Sequence, residues 1–304
     1  MSATPFRFGV VFTGSTDEAS WPAFARRVES AGFSTLLVAD HLDNPMACGP
    51  MMLAAGLATT TLRVGSYVCN NDFRHPALLA KEVATIDVLT GGRVELGLGA
   101  GWHKTEYDQV GLPFDPPGTR ASRFEEAFDV IRRMLTGEVV DFHGEYYSFN
   151  GFRCLPASAG SAIPLLIGGG GPRLLELAAR RADIVGFVPR SMPGGGVDPG
   201  DFTMASLAAK ISRLEEMARA SGRAGGGPER SILVLARYDD VDAVRESPWM
   251  APETAVDSPY ALIGEPKAVV DILTERRELL GLSYYVCFDS DLEKMLPVVE
   301  QLGS

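Results

Sequence analysis

The chain has 304 residues, 46% hydrophobic and 22% charged, with 39 acidic against 28 basic side chains and a formal net charge of −11. That composition is typical of a soluble globular protein with a sizeable core, and its acidity excludes the basic face that counterion-driven nucleic-acid binding requires. No basic-then-apolar leader and no bilayer-length apolar run is read in it, so the expectation is a cytoplasmic protein that acts on a small molecule, with no membrane or nucleic-acid partner. Cys48, Cys69, Cys154 and Cys287 form no CxxC pair and read as small buried hydrophobes. His41, His75, His103 and His143 are too scattered for a zinc motif such as HExxH, and no metal is assigned.

Short apolar runs alternate with amphipathic stretches, as parallel strands joined by crossover helices require. Phe6 to Phe12 predicts a first strand, and Trp21 to Ala31, stopped by Gly32, a first helix. Thr35 to Ala39 and Met51 to Thr59 give the second pair. Leu62 to Val68 and Pro76 to Leu89 give the third, with Pro76 suited to a first turn. Val94 to Leu98 and Arg120 to Leu135 give the fourth. A hairpin follows, Val139 to Phe142 and Tyr146 to Phe149, with HGE as its turn. Ile163 to Ile167, Ile184 to Val188, Ser231 to Leu235 and Ser283 to Phe288 supply strands five to eight. Eight strand-helix units predict an α/β protein, a (β/α)8 TIM barrel, as one domain over 1–304 with insertions at about 138–160, 189–203 and 239–259. The Pro193 to Gly200 stretch follows the sixth strand, on the catalytic face, where a lid is expected. Gly222 to Pro228 precedes the seventh strand and reads as a connector, and Pro248 to Pro259 as a further insertion bordering the pocket.

The segment IGGGG, Ile167 to Gly171, stands between an apolar strand and the amphipathic PRLLELAARRADIVGF. Glycines there let backbone N–H groups approach an anion where a helix dipole favours negative charge. This predicts a phosphate site at Gly168, Gly169, Gly170 and Gly171 without a Walker lysine or an N-terminal GxGxxG; a glycine turn that binds nothing is the alternative.

Three stretches recur together in order and spacing: ADH at Ala39 to His41, RVGSYVCNNDFRHPALLAKEVATIDVLTGGRVELGLGAGW from Arg63 to Trp102, and the tetraglycine turn. Together they resemble the bacterial luciferase-like superfamily and, within it, the branch that uses the deazaflavin coenzyme F420. The resemblance implies a flavin-type ring across the barrel mouth with its phosphate at the glycine turn. It implies a bulge at Ser66, Tyr67 and Val68 against the ring, with a non-prolyl cis peptide at Tyr67-Val68. It also implies hydride transfer between F420 and a small organic substrate, as a reductase or dehydrogenase, and a homodimer. Two alternatives are an FMN-dependent monooxygenase using O2 and a non-catalytic flavin-binding relative.

His41, after the second strand, is the candidate for handling the proton that accompanies the hydride. Asp40 is placed beside it to bond the cofactor or hold His41, or else as an Asx-turn residue. Asn70 and Asn71 are candidates for the ring or ribityl chain, and Gly99 and Gly101 for close backbone approach. Trp102 and His103 are placed at the cofactor. In sugar-phosphate dehydrogenases of the family a glutamate stands where this chain has Trp102, which counts against that substrate here. Phe12, Trp102, Tyr107, Phe187 and Phe288 are expected to form an aromatic pocket, and Arg190 and Arg173 to meet the phosphate or acidic tail.

Overall fold

A computed structural model of the chain describes residues 4–14, 20–158, 162–223, 227–242, 244 and 249–303. Its centre is a ring of eight parallel strands: β1 (Arg7–Phe12), β2 (Thr35–Val38), β3 (Arg63–Ser66), β4 (Val94–Gly99), β5 (Leu165–Gly168), β6 (Ile184–Phe187), β7 (Glu229–Val234) and β8 (Leu282–Phe288). The hydrogen-bonded order is β3-β2-β1-β8-β7-β6-β5-β4, and β4 returns to β3 through Val64↔Val94 and Gly65↔Glu95, so no barrel edge is left open. The strands are short apolar runs with almost no exposed residue, as a sheet covered on both faces must be. The expected (β/α)8 barrel is the fold observed.

Around it lie α1 (Ser20–Ser30), α2 (Cys48–Ala58), α3 (Pro76–Leu89), α4 (Lys104–Val110), α5 (Pro117–Leu135), α6 (Pro172–Arg181), α7 (Met204–Ala220), α8 (Pro252–Val256), α9 (Pro266–Leu280) and α10 (Leu292–Leu302). α3 has the span predicted for it: Pro76 opens it, and the His75 ring caps it by accepting from the Ala77 amide. α4 is an element the sequence reading lacked, ended by Gly111 at φ +72°.

Three boundaries differ from expectation for identifiable reasons. β3 stops at Ser66, not Val68: the Tyr67 amide still donates to the Val38 carbonyl, the Tyr67–Val68 peptide is cis, and Cys69 and Asn70 pair with Leu98 and Gly99 of β4. The hairpin strands are Val139–His143 and Ser148–Arg153, so the turn is not HGE. It lies one step later, where the Glu126 carboxylate accepts the amides of Glu145, Tyr146 and Tyr147. After β7, Ala236–Tyr238 pairs in parallel with Ala261–Ile263, and α8 sits between them. Pro248 and part of the 222–228 connector lie outside the described residues.

The N-terminal end of the barrel is plugged. Arg7 pairs with Glu95 at 2.7 Å and Glu229 at 2.5 Å and lies 4.2 Å above the Tyr284 ring, whose hydroxyl donates to Glu95. A buried carboxylate needs such complete pairing. The opposite, C-terminal end is where the loops gather. Among the described residues no helix is long and apolar enough to cross a membrane, and the four cysteines are free and buried.

Candidate active site at the C-terminal mouth of the barrel

The floor of the mouth is set by a contact between one valine and three glycines. Val68, delivered by the cis bond, points between β4 and β5. A Cβ added at Gly97, Gly99 or Gly168 would come within 3.0, 2.8 or 2.8 Å of its methyl groups. Real Cβ atoms do not approach as closely as 2.8 Å, so Gly99 and Gly168 must be bare for Val68 to lie there, while Gly97 is closed more tightly by the Ser66 carbonyl at 2.2 Å. Ser66, named as a cofactor residue, serves the same bulge: its hydroxyl donates to the Gly97 carbonyl (2.8 Å) and accepts the Gly97 amide (3.1 Å), which places it in the wall.

His41 follows β2, and the turn Gly99 to His103 brings α4 alongside it. Gly101 takes φ +78°, and a side chain there would strike the Tyr107 hydroxyl. The first turn of α4 then presents Glu106, whose Oε1 lies 2.7 Å from His41 Nδ1 and 3.5 Å from His103 Nδ1 and accepts the Leu42 amide at 3.2 Å. Burial alone would lower the His41 pKa, but the hydrogen bond and charge of Glu106, aided by Asp43 and Asp40, outweigh it and raise the value above 6.5. For Glu106 burial pushes upward, and the His41 bond, both imidazoles and the Leu42 amide outweigh it and pull the carboxyl below its usual range. The two shifts reinforce one another, as in an imidazolium-carboxylate pair. Glu106 was missed from sequence, although its signal was present: His103-x-x-Glu106 is the spacing that puts both groups on one side of a helical turn.

Asp40 takes a different place from the one assigned. It holds neither His41 nor open space: its two oxygens bind Arg74 at 2.6 and 2.8 Å, and one also accepts the Asn70 amide at 3.0 Å. A carboxylate engaged by a guanidinium fork and an amide is a strut between the β2 and β3 loops. Asn70 Oδ1 in turn lies 3.0 Å from the Tyr107 hydroxyl and accepts the Asp72 amide. Asn71 is buried, its amide 3.3 Å from the Tyr147 hydroxyl.

The aromatic residues divide. Phe12 packs into the outer core against Trp21 and Phe24, and Phe187 and Tyr107 are fully buried, so these three do not line the mouth. Trp102 stacks on His103 (5.0 Å between ring centres) and meets His41 edge-on at 5.9 Å. Trp249, unnoticed in the sequence, touches Trp102 at 6.1 Å and stacks on Phe288 at 6.3 Å, linking the loop after β4 to the end of β8 across the barrel.

On the far side the glycine turn leads into α6, with Gly171 as its N-cap and Pro172 in the first turn. A Cβ on Gly170 would collide with the Val188 carbonyl and the Arg190 amide, whereas one on Gly171 would meet nothing within 4 Å. The loop is therefore packed on one side and open on the other, beside first-turn amides that have no helical acceptor. Such a cradle fits a phosphate. The strand-six end against which Gly170 rests is braced: Asp201 accepts the Arg190 amide, the Ser206 hydroxyl and the buried Lys210 ammonium, which also reaches the Val188 carbonyl at 3.1 Å. The Arg190 side chain pairs with Asp198 and is largely exposed. Arg173 is held by Ser122, the Gly118 carbonyl and Glu125.

Comparison with known proteins gives a family profile described as luciferase-like monooxygenase that matches residues 3–278. The 5,10-methylenetetrahydromethanopterin reductase of Archaeoglobus fulgidus is 33% identical over 177 residues, 58% of this chain and 51% of that protein, so this match spans about half of the relative's length. An F420-dependent glucose-6-phosphate dehydrogenase of Microbacterium testaceum is 30% identical over 265 residues, 84% of this chain and 74% of that protein. The structure of the coenzyme F420-dependent tetrahydromethanopterin reductase from Methanopyrus kandleri superposes with a TM-score of 0.79 at 21% identity, covering 98% of each chain.

Proposed function

Because the chain belongs to the luciferase-like monooxygenase family, we propose that it is an oxidoreductase that moves a hydride between coenzyme F420 and a small organic substrate. The observation that carries the reading is the His41-Glu106 pair set at the mouth beside a floor and a glycine cradle of the kind a flavin-like ring and its phosphate need. The F420 dependence named for relatives in two enzyme classes supports the choice of cofactor.

In this reading Gly169 to Gly171 and the first turn of α6 hold the phosphate, and Val68 with its flanking backbone forms the surface against which the ring lies. F420, when bound, supplies a carrier of hydride that reacts poorly with oxygen. The protein's part is orientation and proton handling. His41 takes up or delivers the substrate proton at its outer nitrogen, while Glu106 fixes the ring through Nδ1 and stabilises the imidazolium that forms. Trp102, Trp249 and Phe288 exclude water and favour a flat, weakly polar substrate. Asp40 belongs to the frame that positions Asn70. A cytoplasmic location is part of the proposal, supported by four free thiols. So is pairing of two copies through α2 and α3, which expose Leu57, Leu78 and Leu89.

The test is a fluorescence titration of the apo-protein with F420 and, separately, FMN, followed by assays for reduction and oxidation of candidate substrates. F420 is expected to bind and FMN not. His41→Ala should keep cofactor affinity and lose about 10²- to 10⁴-fold in turnover, the usual size of an acid-base contribution. Preference for FMN with oxygen consumption would replace this reading with monooxygenation.

A further inference from the structure

Among the described residues one place brings three metal-ligating side chains together, and it lies at the mouth: His41, His103 and Glu106, with one donor atom from each all within 4.8 Å of one another. We propose that this triad is a binding site for a divalent transition-metal ion of the zinc class, and that the ion, by occupying the position of the proton shared between His41 and Glu106, switches the enzyme off.

The donor set is two imidazole nitrogens and one carboxylate, the His2Glu set of open zinc sites that keep a fourth position for water. Bonds near 2.1 Å at the tetrahedral angle separate ligand atoms by about 3.4 Å. The 3.5 Å between His103 Nδ1 and Glu106 Oε1 already meets this, and the 2.7 Å between His41 and Glu106 needs only a small opening. Both imidazoles are about one-third exposed, which gives an ion and its water a path in, whereas the carboxylate is buried and anchored by the Leu42 amide. The Leu42 amide that orients this carboxylate is the kind of outer support that metal ligands rely on. The exchange balances simply: the ion enters and the proton held between His41 and Glu106 leaves to solvent. The inhibitory consequence rests on the role proposed for His41; the binding does not.

The experiment is a titration of the chelator-stripped, full-length apo-protein with Co2+, read by visible absorption, followed by competition with Zn2+. One equivalent of Co2+ should give the intense bands of a four-coordinate N/O site, displaced by Zn2+. His103→Ala and Glu106→Gln should each weaken binding by at least about tenfold, and His75→Ala should leave it unchanged. Should Glu106→Gln fail to fold through loss of the Leu42 contact, His103→Asn carries the same test. Absence of four-coordinate bands, or equal affinity in wild type and His103→Ala, overturns the site. Stoichiometric binding with unchanged hydride transfer in the presence of Zn2+ overturns the switch and counts against His41 as the proton-handling group, whereas failure of F420 to bind would touch the functional reading alone.

Discussion

Glu106 decides what His41 can do. Burial alone pulls the imidazole pKa down; the hydrogen bond and charge of Glu106, with the charges of Asp43 and Asp40, bring it above the ordinary value of 6.5. The acidic limb of the kcat/KM profile should therefore lie above pH 6.5 in the direction that needs His41 as a base, and Glu106→Gln should move it to lower pH while reducing the plateau. The same pair stabilises the fold over a defined interval. The raised His41 pKa contributes fully below 6.5 and is lost as pH rises through its folded value, whereas the lowered Glu106 pKa contributes above 4.5 and is lost as pH falls through its folded value. Thermal melts of wild type and Glu106→Gln should thus differ most between pH 4.5 and 6.5. From sequence His41 could be singled out because it ends an apolar run. Its partner carried a local signal in the spacing from His103, but the pairing of Glu106 with His41, 65 residues away, is decided by how α4 docks. Asp40 was misassigned for the same reason: its adjacency to His41 in the chain suggested shared chemistry, but Arg74 claims it in space.

The glycine turn behaves as an element with two faces, and substitution can separate them. Gly170→Ala drives a methyl into the Val188 carbonyl and Arg190 amide, so it should lower both the melting temperature and F420 affinity. Gly171→Ala adds a methyl in open space at an ordinary φ of −82°. It should leave the melt unchanged and weaken F420 alone, by about tenfold, if the cofactor phosphate occupies that space. Equal affinity in Gly171→Ala and wild type would remove the phosphate from the turn. α3 was legible in sequence because Pro76 marks its start locally; the His75 cap came only with the structure. The end of β3 was not legible from the apolar run alone, since the pairing of Cys69 with Leu98 is made with a neighbouring strand, although the resemblance placed a bulge there. Aromatic residues at strand ends also could not be sorted in advance: Phe12 turns outward to Trp21, while Phe288 reaches the mouth and Trp249.

For the whole molecule, the barrel has unequal ends. One is closed by the Arg7-Glu95-Glu229-Tyr284 cluster, and the other collects the loops that carry His41, Asn70, His103 and the glycine turn. That polarity was legible from eight alternating units, since a parallel barrel places all strand C-termini on one face. What the alternation could not give is the outer surface. α2 and α3 leave Leu57 64% and Leu78 66% exposed, and these are the apolar positions on which the proposed pairing of two copies rests. Light scattering should report twice the 32.6 kDa chain mass, and Leu78→Glu should shift it toward the single mass with turnover per chain retained.

The Val68 contact also restricts which sequences this fold can accept. Because the Val68 methyl groups are the nearest obstacle to a side chain at both Gly99 and Gly168, whereas Gly97 is closed by the Ser66 carbonyl, substitutions at Gly99 or Gly168 depend on what stands at residue 68. A methyl at Gly99 is harmful while Val68 stands and becomes tolerable once residue 68 is trimmed to alanine, so two changes unfavourable alone offset each other in combination. Attempts to reshape the mouth for a bulkier substrate therefore have to treat the bulge and the bare strand positions as a single coupled unit.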